Sequence, residues 1–90
     1  MRQLTVEELK MELNKNLSDA IVIELDGLIN TKINIQNIKI KEDADNLIVF
    51  DNEEIKVKFN KHQIMKIEEE NGVIFIKFDS MQNVIIKNRS

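Results

Sequence analysis

The sequence predicts an α+β fold in a single small domain of residues 1–90. The predicted fold is an N-terminal amphipathic helix followed by a strongly bent, six- to seven-stranded antiparallel β-meander. Two observations support it: apolar residues have helical spacing over about residues 6–16, and they alternate with polar residues over about residues 20–87. Two forms of the meander are compatible with the strong bending, an open sheet and a small closed barrel.

The start of the helix is the clearest local signal in the chain. Thr5 and Glu8 have the spacing of a capping box, in which each side chain binds the backbone N–H of the other residue. Leu4 and Leu9 flank this box at the positions of a hydrophobic staple. Spacings of three and four residues then indicate one buried stripe, formed by Val6, Leu9, Leu13 and Leu17.

The strand predictions depend on apolar residues at every second position. The alternation over residues 32–41 changes phase at Gln36-Asn37, where we expect one long strand to bend sharply. Residues 47–50 are apolar on both faces, which predicts a central strand that is covered on both sides. The predicted strands are residues 20–25, 32–41, 47–50, 55–59, 64–70, 73–78 and 84–86.

A hairpin is predicted around residues 51–54, which are polar and favour a turn. Its strands would pair Phe50 with Ile55. Further along the same strands, they would pair Ile48 with Val57. All four apolar side chains would then lie on one face of the sheet.

Asn71-Gly72 is the strongest turn signal, because both residues tolerate the positive φ angles of a type I′ hairpin. This turn places Phe75 opposite Glu68 and places Val73 on the same, otherwise charged face. We expect Val73 and Phe75 to form a contact surface for another protein chain, and the alternative is that the helix covers them. The opposite face is apolar and contains Met65, Ile67, Ile74, Ile76 and Phe78.

The composition argues against most kinds of chemical site. The chain has no Cys and one His, which excludes a zinc site of the ordinary kind, and its two Gly lie too far apart for a phosphate-binding loop. The acidic runs at residues 42–45 and 68–70 lack the Gly and the Asp spacing of a calcium loop. Because acid–base and nucleophilic groups are not clustered, we predict no catalytic, metal-binding or cofactor-binding residue and no enzyme activity.

The charges are mixed, with 16 acidic and 13 basic residues and a net charge of −3, which disfavours extensive phosphate binding. Four Phe and no Tyr or Trp supply few platforms for stacking bases. We interpret the strand lysines as the solvated side of a half-buried sheet rather than as a basic face for an anionic partner. They are Lys56, Lys58, Lys66, Lys77 and Lys87.

A cytoplasmic location is expected. No apolar stretch approaches the roughly 18 residues of a membrane helix, and residues 1–5 lack the apolar core of a signal peptide. Ile, Lys and Asn, which have A/T-rich codons, are abundant, and this indicates a bacterial or phage genome.

Short pieces of the sequence resemble the Sm-like small-barrel family. Residues 21–27 are similar to the family's first strand and its Asp/Asn-Gly turn, and residues 46–49 resemble its third strand. Residues 61–67 resemble the Lys-His-x-Ile-x-x-Ile stretch of its bacterial RNA-chaperone members. The resemblance implies a ring of subunits in which Lys61 and His62 border a uridine-binding pore.

The sequence therefore predicts an architecture more strongly than an activity. The preferred hypothesis is a non-enzymatic binding or assembly module that presents strand edges and an apolar patch to a protein partner or to its own copy. The alternative is an RNA-binding protein that forms an Sm-like ring. Without that ring, His62 is interpreted as a solvated turn residue, because no Asp, Cys or Ser is recognisably placed to form a relay with it.

Overall fold

The structure is a computed structural model that describes residues 1–15, 20–51 and 54–88. These residues form one α-helix, a short 3₁₀-helix at Lys61–Gln63 and nine strands in two antiparallel sheets, which confirms the predicted α+β class. In chain order the elements are β1 (Arg2–Gln3), α1 (Val6–Lys15), β2 (Ala20–Asp26), β3 (Thr31–Gln36), β4 (Lys39–Glu42), β5 (Asn46–Phe50), β6 (Lys56–Asn60), β7 (Ile64–Glu70), β8 (Val73–Phe78) and β9 (Asn83–Asn88).

The larger sheet has six strands in the order β1-β7-β8-β9-β2-β3, and the smaller sheet has three in the order β4-β5-β6. Strand β2 pairs with β3 on one side and with β9 on the other, so the first long strand and the last lie side by side. The described strands therefore do not follow one simple meander, and the larger sheet is open rather than closed into a barrel. The predicted count of six or seven strands was too low, partly because the two-residue β1 is too short to show alternation.

The predicted long strand over residues 32–41 is in fact two strands in different sheets. Strand β3 pairs with β2 in the larger sheet, whereas β4 pairs with β5 in the smaller one. Asn37 lies between them with a φ of +55°, a left-handed conformation that ends an extended strand and that Asn adopts more readily than most residues. The change of phase at Gln36-Asn37 thus marked a break between sheets and not a bend within one strand.

The helix begins as predicted. The Glu8 N–H donates to Thr5 Oγ1 at 3.1 Å, and the Thr5 N–H donates to Glu8 Oε1 at 2.9 Å, which completes the capping box. Leu9 and Leu13 are fully buried, so the predicted stripe faces the core. Leu17 lies outside the described residues.

One hydrophobic core joins the helix stripe to the inner faces of both sheets. In the larger sheet, isoleucines on neighbouring strands pair in a row that runs Ile33, Ile23, Ile86 and Ile74. Burying such a side chain stabilises the fold by about 1.5–3 kcal/mol relative to leaving it exposed. The smaller sheet contributes Leu47, Val49 and Phe59, and the rings of Phe59 and Phe78 stack at a centroid distance of 6.0 Å.

The register of β5 and β6 corrects the predicted hairpin by one residue. The prediction paired Phe50 with Ile55 and Ile48 with Val57. In the structure Asp51 Oδ1 accepts the backbone N–H groups of Glu54 and Ile55, each at 3.0 Å, so Ile55 belongs to the turn rather than to the strand. The observed pairs are Leu47–Phe59, Ile48–Lys58, Val49–Val57 and Phe50–Lys56.

The second predicted hairpin is confirmed near its turn. Asn71 and Gly72 have φ angles of +54° and +83°, and Phe75 pairs with Glu68. At the far end a β-bulge interrupts the register, so that Ile64 pairs with Phe78. Met65, which was expected opposite Phe78 on the apolar face, is instead 63% exposed at this bulge.

Candidate protein-contact surfaces

Val73 and Phe75 lie on the outer face of the six-stranded sheet. Their neighbours in β8, Ile74 and Ile76, are buried on the inner face in the same core as the helix residue Leu9. The helix therefore packs on the inner face and leaves the outer face uncovered, and both Val73 and Phe75 are half-buried there.

Two more apolar residues share this face. Ile85 pairs directly with Phe75, and Val22 alternates with the buried Ile21 and Ile23 along β2. Both are half-buried. We refer to Val22, Val73, Phe75 and Ile85 as the outer patch.

Charges of both signs surround the outer patch. Glu24 interacts with Lys87 at 3.0 Å and with Lys32 at 3.6 Å, and the hydrogen bond from Lys87 lowers the pKa of Glu24. Glu68 lies 3.5 Å from Lys66. Strand alternation places four basic and four acidic residues on this face, so its charge is balanced. They are Lys32, Lys66, Lys77 and Lys87 with Glu24, Asp26, Glu68 and Glu70.

A depression of about 430 Å³ opens on the same face. Phe75 and Ile85 form part of its lining, together with the charged side chains of Lys66, Glu68 and Lys77. The Phe75 and Ile85 part of the outer patch is therefore recessed between charged groups and is accessible to another molecule.

Lys61 and His62 lie in the 3₁₀-helix, and each faces a carboxylate. Lys61 Nζ is 2.7 Å from Glu42 Oε2, and His62 Nε2 is 3.0 Å from Asp45 Oδ1. The sequence shows no recognisable Asp partner for His62, and the structure places Asp45 beside it because the pairing of β5 with β6 brings these loops together. The side chains of His62 and Asp45 are 68% and 71% exposed, so water competes with their interaction and weakens it.

The acidic run at residues 42–45 covers the last residue of β4 and the turn that follows it, and its carboxylates make contacts within the fold. Hydrogen bonds from Lys10 and Lys61 hold the pKa of Glu42 below its usual value. Asp43 Oδ1 accepts the backbone N–H groups of Asp45 and Asn46 at 2.9 and 2.7 Å, which lowers the pKa of Asp43. In the described part of the chain, no group of His, Asp and Glu is arranged to hold a metal ion.

The outer face of the smaller sheet is a basic surface that the sequence analysis missed. Ile48 pairs with Lys41 on one side and with Lys58 on the other, and Lys41 Nζ lies 5.5 Å from the centre of the Phe50 ring. The predicted register had placed Ile48 and Phe50 on the face of Val57, away from these lysines. We call Lys39, Lys41, Lys56 and Lys58 the lysine face.

A groove of about 280 Å³ separates β6 from the end of the larger sheet. Residues 57–60 line one side, and the other side includes Leu25, Phe78 and Val84. The loop at Ile29 also borders the groove, and Gln82 anchors it by accepting the Ile29 N–H at 3.0 Å and donating to the Ile29 carbonyl at 2.9 Å. The groove thus lies next to an edge strand, and six of its twelve lining residues are apolar and six are polar.

Comparisons with protein families, with curated proteins and with solved structures found no match for this chain. Among the described residues, no helix combines the length and the apolar character that a membrane crossing requires. The function must therefore be argued from the geometry of these surfaces.

Proposed function

We propose that this protein is a non-enzymatic assembly module that binds a second copy of itself through the outer patch. The observation that supports the proposal is a half-buried apolar patch on the sheet face that the helix leaves uncovered. Each square ångström of apolar surface removed from water contributes about 25 cal/mol, so a partner that covers Phe75 and its neighbours gains stability.

The charges around the patch favour a second copy as the partner. A surface with an excess of one charge repels its own copy, whereas four basic and four acidic residues can find opposite charges across a two-fold axis. Glu68 pairs with Phe75 across the strands, Lys77 lies two residues further along β8, and both are suitably placed to find opposite charges on a second copy.

The alternative, RNA binding at Lys61 and His62, has weaker support. Glu42 and Asp45 already face these two side chains, and their negative charges would repel a phosphate backbone. The described strands also form an open sheet, which does not support the closed small barrel that the resemblance implied.

The direct test is Phe75→Ser, followed by sedimentation equilibrium over a range of protein concentrations. We expect the unaltered protein to dimerise and the variant to remain monomeric. Leu28→Ser is the matched control, because Leu28 is 76% exposed, apolar and outside the outer patch. Dimerisation should survive this control substitution.

Three results would contradict the proposal. The first is an unaltered protein that remains monomeric at every concentration. The second is a loss of about 3 kcal/mol or more in the unfolding free energy of the Phe75→Ser monomer, which would show that Phe75 belongs to the core. The third is binding of oligouridine that is lost in His62→Ala, which would support the RNA alternative instead.

A further inference from the structure

We propose that the free edge of β6 binds an extended segment of a different protein, in which acidic and apolar residues alternate, as an added antiparallel strand. This inference concerns a surface other than the outer patch and does not depend on self-association.

The backbone of β6 has hydrogen-bonding groups available for such a strand. The Asp51 N–H donates to the Ile55 carbonyl at 3.1 Å, and the Lys61 N–H donates to the Asp45 carbonyl at 2.8 Å. Hydrogen-bonded pairs alternate along an antiparallel ladder, so Val57 and Phe59 also form backbone hydrogen bonds with β5. The residues between and beside them direct their N–H and C=O groups away from β5, and these are Lys56, Lys58 and Asn60. Within the described chain no other strand pairs with that side of β6.

The groove reaches this edge of β6. All four residues 57–60 line it, so side chains from both faces of β6 border the groove, together with Asn46 at the start of β5. Its apolar lining includes the half-buried Leu25 and the exposed Ile29, so a strand that enters the groove can bury its inward side chains against apolar atoms. Backbone pairing with alternate side chains in a groove is the usual form of peptide recognition by strand addition.

The lysine face determines the charge of the partner strand. Lys56 and Lys58 point to the outer face beside Lys41, and an added strand would place its outward side chains about 5 Å from theirs. Acidic residues at those positions would be attracted. A second β6 edge from another copy would instead place lysine opposite lysine, which disfavours self-pairing at this edge.

The apolar lining distinguishes a peptide from a nucleic acid. A phosphate backbone would be attracted by the lysine face, but it would place charged groups beside Leu25 and Ile29 in the groove. An alternating peptide has one acidic and one apolar side, and it therefore matches both surfaces at once.

The test uses a fluorescent peptide of about ten residues in which Val and Glu alternate, which is long enough to span one whole strand, and measures its binding by fluorescence anisotropy. A second peptide of the same composition has its Val and Glu residues in separate blocks. We expect the alternating peptide to bind at least about tenfold more tightly than the block peptide, because only the alternating one separates its acidic and apolar sides.

Two variants test the site itself. Lys58→Glu should weaken binding of the Val/Glu peptide by about tenfold or more and create binding of an alternating Val/Lys peptide, a gain that misfolding cannot produce. Lys15→Glu is the matched control, since it makes the same charge change at an exposed position on the helix and should leave binding unchanged. Lys58→Pro removes an outward N–H without breaking the ladder to β5, so it should abolish binding while the urea midpoint is kept.

Several outcomes would overturn the inference. One is that the alternating peptide does not bind, and another is that both Val/Glu peptides bind equally well. The others are that Lys58→Pro still binds the peptide and that oligothymidylate competes with the peptide at the same site. Phe75→Ser should bind the peptide as the unaltered protein does. This result separates the inference from the proposed self-association, because either can fail while the other holds.

Discussion

Gly27 and Gly72 offer a pair of substitutions that separates two costs of replacing a glycine. Gly27 has a φ of +149°, and a Cβ atom added there would lie 2.4 Å from the backbone oxygen of Met81 and 3.0 Å from the Cα of Gln82. Gly72 has a φ of +83°, and a Cβ atom there would meet nothing within 4 Å. The backbone conformation disfavours a side chain at both positions, but only at Gly27 do neighbouring atoms also occupy the space that a Cβ atom would need.

The expected magnitudes follow from this difference. A positive φ in a residue with a side chain costs about 1–2 kcal/mol, which is the loss of stability expected for Gly72→Ala. Gly27→Ala adds a contact with backbone atoms that can move only if the two loops separate, and overpacking of this kind costs about 1–3 kcal/mol more. We therefore expect Gly27→Ala to lose about 2–5 kcal/mol.

The measurement is urea unfolding of both variants by circular dichroism, at a protein concentration low enough for the monomer to dominate. The slope against urea should stay close to that of the unaltered protein, so that the midpoints report stability alone. Equal losses in the two variants would refute the reasoning, because they would show that the Gly27 and Met81 loops are not in contact.

Two further predictions concern the helix and the acidic turn. Thr5→Ala removes the acceptor for the Glu8 N–H and should lower the unfolding free energy by about 0.5–2 kcal/mol, and an unchanged urea midpoint would contradict the observed helix start. The pKa of Glu42 is lower in the folded protein than its ordinary value of 4.5, so this carboxylate stabilises the fold above that pH and the contribution is lost as the pH falls through the folded pKa. Glu42→Gln should therefore be less stable than the unaltered protein at neutral pH, and the difference should shrink in acid. A difference that stays constant with pH in urea titrations would show that the Glu42 carboxylate is not the cause.

Local rules explain which parts of the fold were predictable. The capping box at Thr5 and the two-residue turn at Asn71-Gly72 each involve residues close in sequence, so their geometry could be derived from residue types alone. The register derived from this turn also placed Phe75 on the correct face of the sheet. The pairing of β2 with β9 joins segments far apart in the chain, and no local pattern indicates it.

The register of β5 and β6 depended on one side chain. Asp51 accepts two backbone N–H groups, so Ile55 lies in the turn and not in the strand. Every pair between β5 and β6 is therefore shifted by one residue from the predicted register. A shift of one residue moves each side chain to the other face relative to its partner strand. For this reason the lysine face, with Ile48 and Phe50 among its lysines, could not be found from the sequence.

The two proposed surfaces differ in charge, and this difference allows each to select its own kind of partner. The outer patch has balanced charges and is compatible with its own copy, whereas the lysine face repels its copy and attracts an acidic strand. The outer patch lies on the outer face of the larger sheet, whereas the lysine face and the β6 edge belong to the smaller one, so one protein molecule can use both together. A dimer formed through the outer patch would carry two β6 edges. It would therefore bind a partner with two acidic–apolar segments more tightly than a monomer does, provided that the linker between those segments spans the two edges.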